Sequence, residues 1–408
     1  MATATKTFEY QVRDRGGKVV TGKLEGPNQS AVVSKLKEMG YAPLAVSEKS
    51  TGGLNAEINL PGGNRVGLKD LAIMSRQFAT MINSGLSLLR ALSILAEQTE
   101  SKGLRKVLAE VRNDVETGQS LSSAMQKHQN VFPPLMVNMC RAGEIGGFLD
   151  QVLLRIAVNY ESEVKLRSKV KSAMTYPVVV LIMAVICVIG MLIFIVPVFE
   201  KMFEDLGGTL PAPTQFLVFL SDQMIWLVPV TVVTLVVVTV VWGKIKNDDR
   251  VRNVVDPVKL KIPVFGELFR KLSLSRFSRN LGTMLASGVP ILQALDIVAD
   301  TTGNVVVANA VRAVQESVRS GESLAGPLSD HPVFPPMVVQ MMAVGEDTGA
   351  LDTMLAKISE FYDQEVEAMT ESLPALLEPL MIALLGSVIG SMIVALYMPM
   401  FKIFDQIG

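Results

Sequence analysis

Ser75-Arg76-Gln77-Phe78-Ala79-Thr80-Met81-Ile82-Asn83-Ser84-Gly85 returns later in the chain as Ser278-Arg279-Asn280-Leu281-Gly282-Thr283-Met284-Leu285-Ala286-Ser287-Gly288, at an offset of 203 residues. In the first copy Leu68, Leu71, Ile73, Phe78, Met81 and Ile82 recur near a 3.6-residue period, so the stretch reads as an amphipathic helix. Gly85 follows as its C-terminal cap, with Gly288 as the counterpart. Further out, Gly118-Gln119-Ser120-Leu121 answers Gly321-Glu322-Ser323-Leu324. Val131-Phe132-Pro133-Pro134 answers Val333-Phe334-Pro335-Pro336 at an offset of 202, one residue having been lost in between. At the same offset Gly143-Glu144-Ile145-Gly146-Gly147-Phe148-Leu149-Asp150 answers Gly345-Glu346-Asp347-Thr348-Gly349-Ala350-Leu351-Asp352. Solenoid units repeat every ~20–50 residues; a period this long is a domain duplication.

The register runs on into apolar sequence, where Pro177 pairs with Pro379, Pro197 with Pro399 and Phe199 with Phe401. Each copy therefore ends in its own apolar segment. Uncharged stretches run from Ser172 to Phe199, Gln223 to Gly243 and Pro379 to Phe401, each long enough as a helix to cross about 30 Å of hydrocarbon. Lys165, Arg167, Lys169 and Lys171 precede the first span and Lys244, Lys246, Arg250 and Arg252 follow the second, which puts both of those ends in the cytoplasm. The segment from Glu200 to Ser221 is then an extracytoplasmic loop. By parity the third span exits and leaves Lys402 to Gly408 outside, although its own flank (Glu360, Asp363, Glu365, Glu367, Glu371) is acidic. Two copies that both cross outward need a return helix between them, and the unduplicated second span supplies it.

The expected fold is mainly α: an integral membrane protein with three transmembrane helices, two tandem homologous cytoplasmic helical bundles and a small N-terminal α+β module. Residues 1–49 form the module, with strands at Phe8–Val12 and Lys18–Gly22 around the turn Asp14-Arg15-Gly16-Gly17 and a helix over Asn28–Met39. The glycine-rich stretch 50–67 reads as a linker. The bundles occupy 68–172 and 270–375, the spans 173–199, 223–243 and 376–401, the loop 200–222, a cytoplasmic connector 244–269 and the tail 402–408. Helices in the first bundle are expected over Leu88–Gln98, Leu104–Thr117, Leu121–His128, Pro134–Arg141 and Phe148–Ser172. The N-terminus has no apolar core of the signal-peptide kind and is expected to stay in the cytoplasm.

At 408 residues with 49% hydrophobic and 19% charged composition, the chain suits a division between water and lipid. A net charge of −1 lacks the basic excess that nucleic acid demands. Cys140 and Cys187 are the only cysteines, one in a bundle helix and one in a span, so no disulfide is expected. Gly17-Lys18-Val19-Val20-Thr21-Gly22-Lys23-Leu24 approaches a phosphate-binding loop, but Leu24 stands where Ser or Thr holds Mg²⁺, and the stretch reads as a hairpin. His128 and His331, the only histidines, each precede a Phe-Pro-Pro corner and have no companion at ligand spacing. No catalytic constellation and no cofactor or metal motif is recognisable, so no enzyme activity is expected.

The Gly-Glu-x-x-Gly-x-Leu-Asp octet has two readings. As a corner, Gly143 and Gly345 end one helix in a left-handed conformation and the acids sit near the next N-terminus; alternatively Glu144 and Glu346 dock a partner. Glu378, directly before Pro379 at the edge of the third span, is either simply interfacial or turned toward the protein interior or another subunit. Gly386 and Gly390 form a small-xxx-small face suited to close helix approach.

In this order, these marks resemble the general secretion pathway protein F and pilus assembly protein C family of inner-membrane platform proteins, along the whole chain. They are the Phe8-Glu9-Tyr10 to Val46 module, the doubled blocks, Tyr160-Glu161 answered by Tyr362-Asp363, and the Glu378-Pro379, Gly390 and Pro399 spacing. The resemblance implies a non-catalytic, homo-oligomeric part of a bacterial inner membrane beneath a growing pilus or pseudopilus. Its implied partners are a cytoplasmic hexameric ATPase, for assembly or for retraction, pilin or pseudopilin subunits, an inner-membrane assembly subcomplex and membrane lipid. Pilus assembly is the first expectation, a type II secretion platform the second. From another class, a small membrane transporter is the rival, although three spans are few for one.

Overall fold

The computed structural model describes residues 6–13, 19–26, 29–38, 42–48, 66–205, 210–246 and 248–407. The chain forms two compact units, residues 1–63 and 64–408. The first holds strands β1 (Lys6–Arg13) and β2 (Val19–Gly26), helix α1 (Gln29–Glu38) and strand β3 (Ala42–Glu48). The sheet order is β2-β1-β3, antiparallel throughout, and Val32 and Leu36 of α1 are buried. Val19 to Leu24 lies inside β2, so no helix begins where a phosphate-binding loop requires one. The expected turn at 14–17 lies outside the described residues, as does the linker up to residue 65.

In the second unit the first bundle comprises α2 (Leu68–Asn83), α3 (Leu88–Gln98), α4 (Lys102–Glu116), α5 (Leu121–Gln126), α6 (Pro134–Gly146) and α7 (Leu149–Gly190). A π-helical turn, Met191–Ile195, leads into α8 (Val196–Asp205), and α9 (Ala212–Ile245) returns. After α10 (Asp249–Lys261) the second bundle repeats the first as α11 (Phe265–Ala286), α12 (Ile291–Thr301), α13 (Val305–Arg319), α14 (Ala325–Leu328), α15 (Pro336–Thr348) and α16 (Leu351–Ile407).

Two expectations change. No break separates bundle from span: α7 runs 42 residues and α16 runs 57, each from a bundle core into the apolar segment. The expected loop 200–222 is mostly helix, because α8 extends to Asp205 and α9 begins at Ala212. The connector and the tail are likewise helical as far as Lys261 and Ile407. Among the described residues three helices are long and apolar enough to span a membrane, Leu149–Phe203, Ala212–Ile245 and Leu351–Met400.

Local chemistry explains the repeated corners. Gly85 and Gly288 have φ of 85° and 73°, and Leu86 and Val289 donate back to Met81 and Met284 carbonyls, closing a Schellman-type end. Pro133 and Pro335 are extended caps, Pro134 and Pro336 occupy the first helical turn where a missing N–H costs nothing, and Phe132 and Phe334 are buried. The two bundles are not separately cored. One continuous apolar cluster contains Phe78, Leu95, Phe132 and Ile156 together with Phe277, Leu295, Phe334 and Ile358.

The membrane helices converge at one end, where Leu192 and Val196 meet Leu217 of α9 and Met392, Ala395 and Leu396 of α16, and Phe199 stands edge-on to Tyr397 at 5.9 Å. Two prolines shape this junction. Val196 donates to the Met191 carbonyl in the π register, so the next donor, for Leu192, would be the absent N–H of Pro197. Ser221 Oγ of α9 donates to that Leu192 carbonyl at 2.5 Å. In α16, Pro399 likewise leaves Ala395 without its i+4 donor, and Thr214 Oγ1 of α9 takes the place at 2.5 Å. The unduplicated helix thus satisfies the carbonyls that both equivalent prolines release. In hydrocarbon an unmatched carbonyl costs several kcal/mol.

Candidate functional site

The octets fold as corners, with different atoms in the roles. The left-handed residues are Gly147 and Gly349, φ 74° and 71°, not Gly143 and Gly345. Those two lie inside α6 and α15, where a Cβ would stand 2.9 Å from Val152 Cγ2 and 2.9 Å from Leu351 Cα. They are glycine because α7 and α16 cross there in close contact. Glu144 does not reach the next helix either: it turns back to accept from the Leu121 and Ser122 N–H groups at 2.5 and 3.0 Å. Glu346 does the same for Leu324, at 2.8 Å, and Ala325, at 3.2 Å. Each carboxylate caps a short helix too weak to hold itself. Replacing Glu144 by Ala should cost about 1.5–3 kcal/mol, read as a fall in the thermal midpoint of the purified full-length chain; an unchanged midpoint would refute the capping role.

A second repeated feature links the first helix of each bundle to its long helix. Arg76 donates twice to Glu161, Nε–Oε1 2.6 Å and Nη2–Oε2 2.5 Å; Arg279 holds Asp363 in the equivalent place. Both Arg residues stood in the opening repeat and both acids in the Tyr-acid pair, so their recurrence was a signal that could have been read. Ser75, Ser278 and Tyr160, from the same blocks, bury hydroxyls with no partner among the described residues.

Between the bundles runs a polar seam without any repeat signature. Glu163 of α7, only 12% exposed, lies between Arg167 of its own helix at 2.7 Å and Arg276 of α11 at 2.7 Å. Arg279 follows at 3.7 Å. One turn earlier Asn159 donates to Asn280 at 3.2 Å, and Asn280 donates on to Thr301 at 3.1 Å. Lys169 pairs with Glu367 of α16. Leu166 packs beside Leu268, Val366 and Leu373. A groove of about 800 Å³ lies between α7, α11 and α16, walled by Asn159, Arg279, Thr283, Asp352 and Asp363.

Burial alone would raise the Glu163 carboxyl, but the guanidiniums of Arg276 and Arg167 outweigh it and hold the group below the usual carboxylate range. Glu161, hydrogen-bonded to Arg76, is lowered as well. A depressed folded value means that the stabilisation is complete above the unfolded Glu value of about 4.3 and disappears as pH falls through the lower folded value. The seam should therefore hold through mildly acidic pH and loosen only below about pH 4. Protease sensitivity of α10–α11 against pH checks this, and loosening near pH 6 would contradict it. Burial also pushes the Cys140 thiol far up, leaving it unreactive.

The remaining candidates lie on the membrane part of α16. Glu378, Pro379 and Gly386 are exposed and Gly390 half-buried; among the described residues no neighbouring atom approaches within 4 Å of where a Cβ would stand on Gly386 or Gly390. Of the prolines one repeat apart, Pro177 is buried in α7, while Pro379 is open. Among the described residues no three His, Cys, Asp or Glu side chains converge as a metal site. His128 instead lies 3.6 Å from Glu110.

The family model for Type II secretion system (T2SS), protein F matches residues 74–197 and again 277–399. That for the Type II secretion system protein F N-terminal domain matches residues 1–47. The chain is 43% identical over 403 residues to Type IV pilus assembly protein PilC of Myxococcus xanthus, covering 98% of this chain and 95% of that one. It is 44% identical over 403 residues to the protein of the same name from Thermus thermophilus, covering 98% and 99%. Type II secretion system protein F of Vibrio cholerae is 35% identical over 398 residues, covering 97% and 98%.

Proposed function

Because the chain belongs to the Type II secretion system protein F family, we propose that it is the non-catalytic inner-membrane platform of a type IV pilus assembly machine. The observation that carries this is the full-length likeness, at 43–44% identity, to proteins named for type IV pilus assembly. The 35% likeness to a secretion protein F supports the second reading, a type II secretion platform acting on pseudopilins.

In the proposed orientation the N-terminal module and both bundles face the cytoplasm, and the ends of α8 and α16 face outward. A hexameric ATPase binds the bundles and hydrolyses ATP; this chain turns or tilts in response and presents its membrane helices to pilin. Continuous helices from bundle core to bilayer suit that task, since a displacement of the bundle carries directly into the spans. Glu378, Pro379, Gly386 and Gly390 are the proposed contacts for pilin or for a second copy. The inner-membrane assembly subcomplex completes the set of partners. Capture of the full-length chain from detergent-solubilised membranes should bring a hexameric ATPase with it and show no nucleotide hydrolysis by the chain alone. Hydrolysis by the isolated chain, or capture with no ATPase, would overturn the proposal.

A further inference from the structure

The two bundles meet by an asymmetric contact, which leaves one half of it unused on each side. In the existing contact, α7 contributes Asn159, Glu163, Leu166 and Val170, and the α11–α16 face of the second bundle receives them. One repeat later, those four positions on α16 are Phe361, Glu365, Ala368 and Ser372. Asn159, Glu163 and Leu166 are buried, whereas Phe361 is 41% exposed and Ala368 and Ser372 are open. The receiving face behaves likewise. Arg279 and Asn280 are buried beneath α7, while their counterparts Arg76 and Gln77 are half-buried and exposed, and Ile73, opposite Arg276, is 48% exposed. Between α2 and α7 this face forms a groove of about 540 Å³ lined by Lys69, Ile73, Arg76, Gln77, Val164 and Lys165.

We propose that this groove receives the Phe361-Glu365-Ala368-Ser372 stripe of α16 from a second copy of the same chain. Charge supports the choice of occupant. Lys69 and Lys165 in the groove have no ion-pair partner among the described residues, while the stripe carries Glu365, which Lys271 also holds, and is flanked by Glu360, which Lys357 also holds, and Glu371. Position for position, Phe361 falls opposite Gln77 and Thr80 as Asn159 falls opposite Asn280 and Thr283, and Glu365 falls opposite Ile73 as Glu163 falls opposite Arg276. A contact of this kind joins unlike faces, and repeats of it either close into a ring or extend as a filament. Here α7 with its π-helical turn and α16 run side by side with a shift of only two residues against the repeat offset of 202, Leu166 clustering with Val366 and Leu192 with Met392, about 3 Å along a helix. The step from one bundle to the next therefore has little rise along the spans, and in a bilayer it closes as a ring. This rests on the membrane platform reading above.

The test uses two full-length chains with different tags, co-expressed, both carrying Cys187→Ser, one with Gln77→Cys and the other with Phe361→Cys. Both positions are exposed, so neither change disturbs the core. Mild oxidation of membranes should give a disulfide-linked product carrying both tags. Glu316→Cys in place of Phe361→Cys should give none, and Lys69→Glu with Lys165→Glu should lower the yield severalfold. No Gln77–Phe361 product, or an equal one with Glu316→Cys, would overturn the interface. The readout is a gel band from membranes and does not require pili, so its failure is separable from failure of the platform reading.

Discussion

Glu163→Leu should lower the stability of the full-length chain by about 3 kcal/mol, because it leaves Arg276 charged, largely buried at 17% exposure and without a partner among the described residues. Arg279 keeps Asp363 and Arg167 reaches water, so the loss concentrates on one guanidinium. Glu163→Gln, which retains a hydrogen-bond acceptor, should lose less. The deciding variant is Glu163→Leu combined with Arg276→Met: a buried pair exchanged for apolar side chains removes the orphaned charge, and most of the lost stability should return. Thermal unfolding in detergent, compared at matched conditions, reads these three together with Arg276→Met alone. If the double variant is as unstable as the sum of the singles, the seam is not held by this pair.

The second large effect is expected in the membrane. Ser221→Ala and Thr214→Ala each leave a proline-released carbonyl unsatisfied, at about 1–3 kcal/mol apiece. The two sites lie two turns apart on α9, so the costs should add. Restoring the missing donor gives the sharper test. In a Pro197→Ala background an N–H becomes available to Leu192, and Ser221→Ala should cost much less; Pro399→Ala should relieve Thr214→Ala in the same way. Equal costs in both backgrounds would mean that the hydroxyls serve some other purpose.

What could be read beforehand followed from how each feature is encoded. The duplication, the Gly85 and Gly288 ends and the Phe-Pro-Pro corners use residues with one steric role, so their recurrence at 202–203 residues was visible. Gly143 and Gly345 have two steric roles, left-handed backbone and close approach. Choosing between them required knowing that α6 continues to Gly146 and that α7 crosses it. The continuity of α7 was hidden because hydropathy detects where lipid begins, not where a helix ends: the expected helix stopped at Ser172, whereas α7 runs on through it and through Pro177. The seam was least legible. Glu163 is one charge among many on a charged helix, and its counterpart Glu365 pairs with Lys271 of its own bundle, so comparison of the repeats pointed away from it.

The platform claim is tested most directly by deleting the gene cleanly and scoring the same cells for surface pili by electron microscopy and for secreted enzymes by activity. Loss of pili with secretion intact is the predicted result, restored by the wild-type chain in trans. Intact pili with lost secretion would make the chain a secretion platform, and no change in either would contradict the platform claim altogether.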